Sequence, residues 1–185
     1  MKRFIMTGAP GAGKTSILDA LRVRGYAAVN EAATDVISFE QSQGNNEPWT
    51  GPLFIEKIIE LQRFRQLRPV PAGIAMQVYD RSPVCTLALA RYLGHQIPAE
   101  LAGEIARITR ERVYEHQVFF IRPIGFCQPT AARRISYQDS LEFERYHEDE
   151  YVRLGFELVE VPPGAIAERA TVIDAFMKSR CKSAG

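Results

Sequence analysis

The strongest chemical signal in the chain is a run of eight residues, Gly8-Ala9-Pro10-Gly11-Ala12-Gly13-Lys14-Thr15. Its spacing is G-x-x-x-x-G-K-[S/T], the pattern of a phosphate-binding loop, or P-loop. Glycines here let backbone N–H groups turn inward and wrap a phosphate without side-chain clash. A helix starting directly behind the loop would add unpaired N–H groups and the positive end of its dipole. Lys14 supplies a point charge within reach of β- and γ-phosphates. The Thr15 hydroxyl is an oxygen ligand of the kind Mg²⁺ prefers. Gly8, Ala9, Pro10, Gly11, Ala12, Gly13, Lys14, Thr15 and Ser16 are therefore the expected nucleotide-binding residues, with ATP and Mg²⁺ as cofactors.

Such a loop needs a carboxylate at the end of a neighbouring strand, close to the metal. Gly73–Tyr79 reads as a buried strand ending at Asp80, with Arg81 beside it. Two roles are open to Asp80: holding a Mg²⁺-bound water, or accepting the proton of an attacking hydroxyl. Arg81 could bind a phosphate or the acceptor. The competing reading makes Asp80-Arg81-Ser82-Pro83 a strand-end turn that caps the next helix. Glu31, after the short strand Ala27–Val29, is a second candidate carboxylate, for acceptor hydroxyls or as general base. It could equally be a solvated helix-start residue.

A third group of charges lies in Arg122–Tyr137, where Pro123, Gly125 and Pro129 prevent a continuous helix. Arg133 and Arg134 are placed there to close over a triphosphate as a small lid. The dense charges after it, Glu142, Glu144, Arg145, His147, Glu148, Asp149 and Glu150, read as the solvated face of a helix.

The elements that must position these residues alternate in type. Strands are expected at Arg3–Thr7, Ala27–Val29, Gly73–Tyr79, Val118–Ile121 and Glu157–Val161. Helices are expected at Thr15–Val23, Ala32–Gln41, Leu53–Leu67, Val84–Leu93, Ala99–Tyr114, Gln138–Leu154 and Ala165–Lys178. The stretch Gln43–Pro52 reads as a loop carrying an exposed Trp49. This alternation implies an α/β fold, a central parallel sheet covered on both faces. At 185 residues the chain fits one domain, 1–185, with a lid at about 122–137.

Composition narrows the function classes. The net charge of +1 gives no global case for binding nucleic acid or an anionic membrane. No apolar run approaches the roughly 20 residues of a membrane span. Cys85, Cys127 and Cys181 are widely spaced, odd in number and without metal-type pairing, which suits reduced thiols in a cytoplasmic protein. No second acidic residue follows Asp80 to polarise water, which tilts the reading from hydrolysis toward transfer to a hydroxyl. A guanine-reading N-K-x-D is also missing, so adenine is favoured.

The P-loop, Asn30-Glu31-Ala32-Ala33, Tyr79-Asp80-Arg81-Ser82-Pro83 with Thr86-Leu87-Ala88, and Leu154-Gly155-Phe156 leading to Val159-Glu160-Val161-Pro162 occur in a telling order. Together they resemble the AAA-domain-type P-loop ATPases that group with ribosylnicotinamide-kinase-like domains, within the nucleoside and nucleotide kinase branch. The resemblance implies a three-layer P-loop NTPase, kinase-like, with ATP–Mg²⁺ binding and phosphorylation of a small hydroxyl-bearing acceptor. It further implies that Lys14 and Thr15 serve nucleotide and metal, that Asp80 and Glu31 face metal or acceptor, and that Arg133 and Arg134 close over phosphate. The alternative is an ATPase or nucleotide-dependent switch acting through a protein partner, in which the Trp49 loop orders on nucleotide binding.

Overall fold

The computed structural model describes residues 1–125 and 135–182. Five strands form one sheet: β1 (Lys2–Thr7), β2 (Ala27–Val29), β3 (Met76–Asp80), β4 (Gln117–Ile121) and β5 (Glu157–Val161). Their order is β2-β3-β1-β4-β5 and every pairing is parallel. Central strands of such a sheet are covered on both faces and therefore read as unbroken apolar runs. Phe4-Ile5-Met6 in β1 and Val118-Phe119-Phe120-Ile121 in β4 are wholly buried.

Alternation along the strands splits this core in two. Phe4, Met6, Val78, Phe119 and Ile121 point toward α1 (Lys14–Val23) and α7 (Ile166–Lys182). Ile5, Tyr79 and Val118 point to the opposite face. That face carries α4 (Pro83–Tyr92), α5 (Ala99–Arg110) and α6 (Tyr137–Arg153). A third apolar cluster lies between α2 (Ala32–Ser42), α3 (Phe54–Leu67), α4 and α5. The order of strands makes the chain turn first to one side of β1 and then cross to the other. Such a switch point opens a crevice at the carboxyl ends of the strands. The register pairs Met6 of β1 with Asp80 of β3, so the P-loop and the carboxylate leave the sheet side by side.

Four local expectations are corrected. Helix α5 stops at Arg110, not Tyr114, because Arg112 takes φ 48° and reverses the chain. Tyr114 thereby turns into the core, its ring edge-on to Tyr79 with centroids 5.2 Å apart. Strand β3 begins at Met76, since Gly73 at φ 88° closes a turn in which Ile74 N–H bonds the Pro71 carbonyl. Trp49 is not exposed: the loop holds a short 3₁₀ turn, Pro48–Thr50, that buries Pro48 and packs Trp49 against the third cluster.

The fourth correction concerns α6. Glu142, Arg145 and Asp149 do face solvent, but Glu144, His147 and Glu150 are buried. Together with Ser140, Phe143 and Tyr151 they recur at three- and four-residue intervals, one helical face turned inward. Buried charge must be paired. Glu144 pairs with Arg122 at 2.9 Å, and Glu150 with Arg91 at 2.6 Å. Among the described residues no helix is long and apolar enough to cross a membrane.

Candidate functional site

The loop between β1 and α1 has the geometry its glycines allow. Gly8, Gly11 and Gly13 have φ of 120°, 82° and 89°. At Gly8 no side chain fits, since a Cβ would lie 2.3 Å from the Ile121 carbonyl oxygen. Helix α1 has no side-chain cap and no acidic residue in its first turn, so its amino-terminal N–H groups and dipole are left for an anion. Lys14 is buried, and its Nζ donates to the carbonyls of Ala9 at 2.8 Å and Gly8 at 3.2 Å. Burial, and secondarily Arg81, lowers its pKa to about 8, while Asp80 and Glu31 act in the opposite sense.

Asp80 ends β3 directly beside the loop. The Thr15 hydroxyl donates to Asp80 Oδ2 at 3.0 Å, whereas Oδ1 is buried with no hydrogen-bond partner. An orphaned carboxylate oxygen costs stability unless something satisfies it. A hydroxyl and a carboxylate side by side are the oxygen donors Mg²⁺ takes, so the residues fit the ion. Burial, then the neighbouring Glu31, raises the Asp80 pKa, with Lys14 and Arg81 opposing. The helix-capping reading does not hold for Asp80: Ser82 caps α4, its Oγ accepting from Val84 N–H at 3.2 Å, with Pro83 in the first turn.

Arg81 adopts a left-handed backbone at φ 73°. For a residue with a Cβ this costs roughly 1–3 kcal/mol and persists only where its surroundings enforce it. Its N–H bonds the Met6 carbonyl at 3.0 Å, and its side chain is buried in the crevice. Nε lies 2.5 Å from Glu31 Oε1, an ion pair, and Nη1 lies 2.6 Å from His147 Nε2. Glu31 Oε2 also accepts from the Thr34 hydroxyl at 2.9 Å. Burial alone would raise the Glu31 pKa, but Arg81 and then Lys14 outweigh it and hold it below the usual carboxylate value.

His147 completes the arrangement. Its Nδ1 lies 2.8 Å from the Phe143 carbonyl, which can only accept, so Nδ1 carries the proton. Nε2 must then accept from Arg81, which can only donate. The imidazole is thus neutral and its tautomer is fixed from both sides. Burial first, and Arg81 second, push its pKa well below the ordinary histidine value.

Of these groups Lys14, Thr15, Glu31 and Arg81 line one cavity of about 540 Å³, and Asp80 and His147 are bonded to its lining residues Thr15 and Arg81. Gly11, Gly13, Lys14, Thr15 and Ser16 of the P-loop and start of α1 are in its lining. So are apolar and aromatic side chains, among them Trp49, Phe54, Tyr92 and Phe143, with Glu31, Gln62 and Arg81 as polar groups. The Thr86 hydroxyl donates to Gln62 Oε1 at 2.9 Å, which fixes the amide's orientation.

Of the site residues expected from sequence, the structure brings together the loop residues Gly8–Ser16, Glu31, Asp80 and Arg81. Arg133 and Arg134, and most of the expected lid, lie outside the described residues. Sequence reasoning missed His147, Gln62 and Arg169. His147 had a readable signal, the three- and four-residue spacing from Ser140 to Tyr151. Gln62 sat unnoticed on an amphipathic helix, and Arg169 had no signal at all.

A sequence profile described as an AAA domain matches residues 3–169. The chain belongs to this AAA-domain family. A comparison with curated protein sequences finds no significant match. Among solved structures, NadR protein in complex with NAD and AMP-PNP superposes with a TM-score of 0.66 at 16% identity. The match covers 96% of this chain but 49% of that one, so this AAA domain spans about half the length of NadR. Deoxyadenosine kinase from M. mycoides, with bound dCMP and dCDP, gives 0.64 at 15% identity, covering 96% and 98% of the two chains. Shikimate kinase from Acinetobacter baumannii, in complex with shikimate, gives 0.51 at 16% identity, covering 97% and 94%. At such identities the likeness concerns the fold: this AAA domain has the three-layer α/β architecture of P-loop kinases.

Proposed function

We propose that this AAA domain is an ATP- and Mg²⁺-dependent phosphotransferase that moves the γ-phosphoryl group of ATP to the hydroxyl of a small acceptor. The observation that carries the reading is the pairing of Thr15 with Asp80 beside the P-loop, one Asp80 oxygen buried and unpartnered, with Glu31 held by Arg81 across the same cavity. Loop amides, the start of α1 and Lys14 bind the β- and γ-phosphates. Thr15 and Asp80 would hold Mg²⁺, which would supply positive charge against the phosphates. Arg81 directs positive charge toward the transferring group and fixes Glu31. Glu31 orients the acceptor hydroxyl and takes its proton. The acceptor oxygen forms the new P–O bond, and the bond to the β-phosphate oxygen breaks, releasing ADP. Of the two carboxylates, Asp80 suits the metal because it is bonded to Thr15 and walled off by burial. Glu31 suits the acceptor because it lines the cavity, which Asp80 does not.

The cavity favours a molecule with a flat or apolar body and at least one hydroxyl. Its aromatic walls bury the body, while Glu31, Arg81 and Gln62 read polar groups. The solved structures that share the fold contain nicotinamide- and nucleotide-type ligands or shikimate. Against a switch built on an exposed Trp49 stands its position: Trp49 is half-buried against the third apolar cluster and lines this cavity. The test is ATP consumption against a panel of nucleosides, nucleotides and cyclic polyols, with products identified by mass. A phosphorylated acceptor formed in step with ADP supports transfer. Release of ADP and phosphate at one rate whatever the acceptor overturns it.

A further inference from the structure

Arg169, on the first turn of α7, is 2% exposed, yet among the described residues no acidic side chain is a hydrogen-bond partner of it. Its Nη1 donates to the Ala12 carbonyl inside the P-loop at 2.7 Å, and its Nη2 donates to the Arg122 carbonyl just beyond β4, also at 2.7 Å. Nε is buried with no partner. A guanidinium stays charged under any condition the fold survives, and burying one without a counter-ion is costly. The mechanism above does not use it.

The bond to Ala12 has a geometric consequence. The peptide joining Ala12 to Gly13 is trans and planar, so its carbonyl and the Gly13 N–H point in opposite directions. Arg169 is not among the residues lining the cavity, whereas Gly13 and Lys14 are. Pinning the Ala12 carbonyl outward onto Arg169 therefore turns the Gly13 N–H inward, to where a phosphate lies. A side chain at Gly13 would meet Ile166 Cδ1 at 3.2 Å and Arg169 Nη1 at 3.4 Å, so the back of the loop is filled by α7. The second bond ties the same guanidinium to the end of β4, next to Ile121, whose carbonyl packs against Gly8. One side chain thus fixes the loop to the sheet from behind.

We infer that Arg169 is a positioning residue for phosphate binding: it aims the Gly13 N–H into the cradle, and its uncompensated charge is balanced by the phosphates bound on the loop's other side. The inference rests on the reading of Gly8–Thr15 as a phosphate site. Among the described residues two carbonyls hold Arg169 and no carboxylate pairs with it, so its field adds to that of Lys14 and the α1 dipole. Charge-assisted hydrogen bonds of this kind, when removed, weaken binding on the order of 10- to 100-fold.

The test uses inorganic tripolyphosphate with the ¹⁵N-labelled full chain, reading amide shifts of the loop by NMR and affinity by calorimetry. The expected result is that the Gly13 amide moves downfield together with those of Gly11, Lys14 and Thr15. In Arg169→Met the tripolyphosphate affinity falls about 10- to 100-fold and the Gly13 shift is lost. Arg169→Lys, which keeps the charge but reaches one carbonyl, recovers part of both. If Arg169→Met does not fold, the unmodified chain and Arg169→Lys decide. A Gly13 amide that stays still while its neighbours respond overturns the inference and leaves the phosphate site standing. So does parent-like affinity in either folded variant. A loop in which no amide responds overturns the phosphate site itself.

Discussion

His147→Gln should remove a defined part of the protein's pH dependence. In the folded protein His147 is neutral, donating from Nδ1 to Phe143 and accepting at Nε2 from Arg81. Protonating Nε2 would place an N–H against a guanidinium, in a site where Lys14 adds further positive charge. The folded state therefore resists a proton that the unfolded chain takes up near pH 6.5. The sign follows directly: below pH 6.5 the unfolded state binds more protons, so stability falls as pH falls, until the depressed folded pKa is reached. The slope is at most about 1.4 kcal/mol per pH unit, so between pH 6.5 and 5 the loss is about 2 kcal/mol. For a chain of this length that lowers the melting temperature by roughly 4–8 °C. Asp80 acts oppositely, since a raised carboxyl pKa makes the folded state the better proton binder as pH falls. Glu31, whose carboxyl pKa is lowered, adds a term of the same sign as His147, so the parent shows a net of several terms and the variant isolates one. Gln keeps an acceptor for Arg81 and cannot titrate. The assay is thermal or denaturant unfolding of parent and His147→Gln from pH 8 to 5, comparing slopes rather than absolute stabilities. Parallel curves would refute the neutral, tautomer-locked His147.

Three further outcomes follow from the same geometry. Lys14→Ala should keep its fold, since it removes only two bonds to loop carbonyls, but lose about 10- to 100-fold or more in ATP affinity by calorimetry; unchanged affinity would contradict the loop assignment. Asp80→Asn should lower turnover at least ~10²-fold while the melting temperature stays level or rises, because it deletes a buried charge with one unpartnered oxygen; a variant that turns over normally would remove Asp80 from the metal site. ATP with Mg²⁺ should bind more tightly than GTP with Mg²⁺, given the missing guanine motif; calorimetry showing the reverse order would correct the base preference.

Much of this architecture was legible in the chain because the physics was local. Gly8–Thr15 declares itself, since backbone wrapping of phosphate demands glycines at fixed places and a lysine at the helix start. The apolar runs of β1 and β4 follow from burial on both faces, and all five strands and seven helices of the sequence reading lie close to their places. Failures occurred where a residue's role depends on something distant in sequence. The charges of α6 looked solvated because Arg91 and Arg122, which neutralise Glu150 and Glu144, are far away along the chain. His147 looked bland because its partner is Arg81, 66 residues earlier. Arg169 meets Ala12 across 157 residues, and no local pattern points there. The early end of α5 depended on Arg112 taking a positive φ, which a sequence without glycine at that place does not announce.

The most direct test of the central claim is the fate of the γ-phosphoryl group in a single turnover with ATP labelled at its γ-phosphate with ¹⁸O. The protein is held in excess over ATP with one responsive acceptor, and acceptor and inorganic phosphate are followed by mass. Transfer predicts that label appears on the acceptor hydroxyl as ADP forms, and that Glu31→Gln slows this without weakening ATP binding to the same degree. Label found only in inorganic phosphate, at a rate unaffected by any acceptor, would contradict the account.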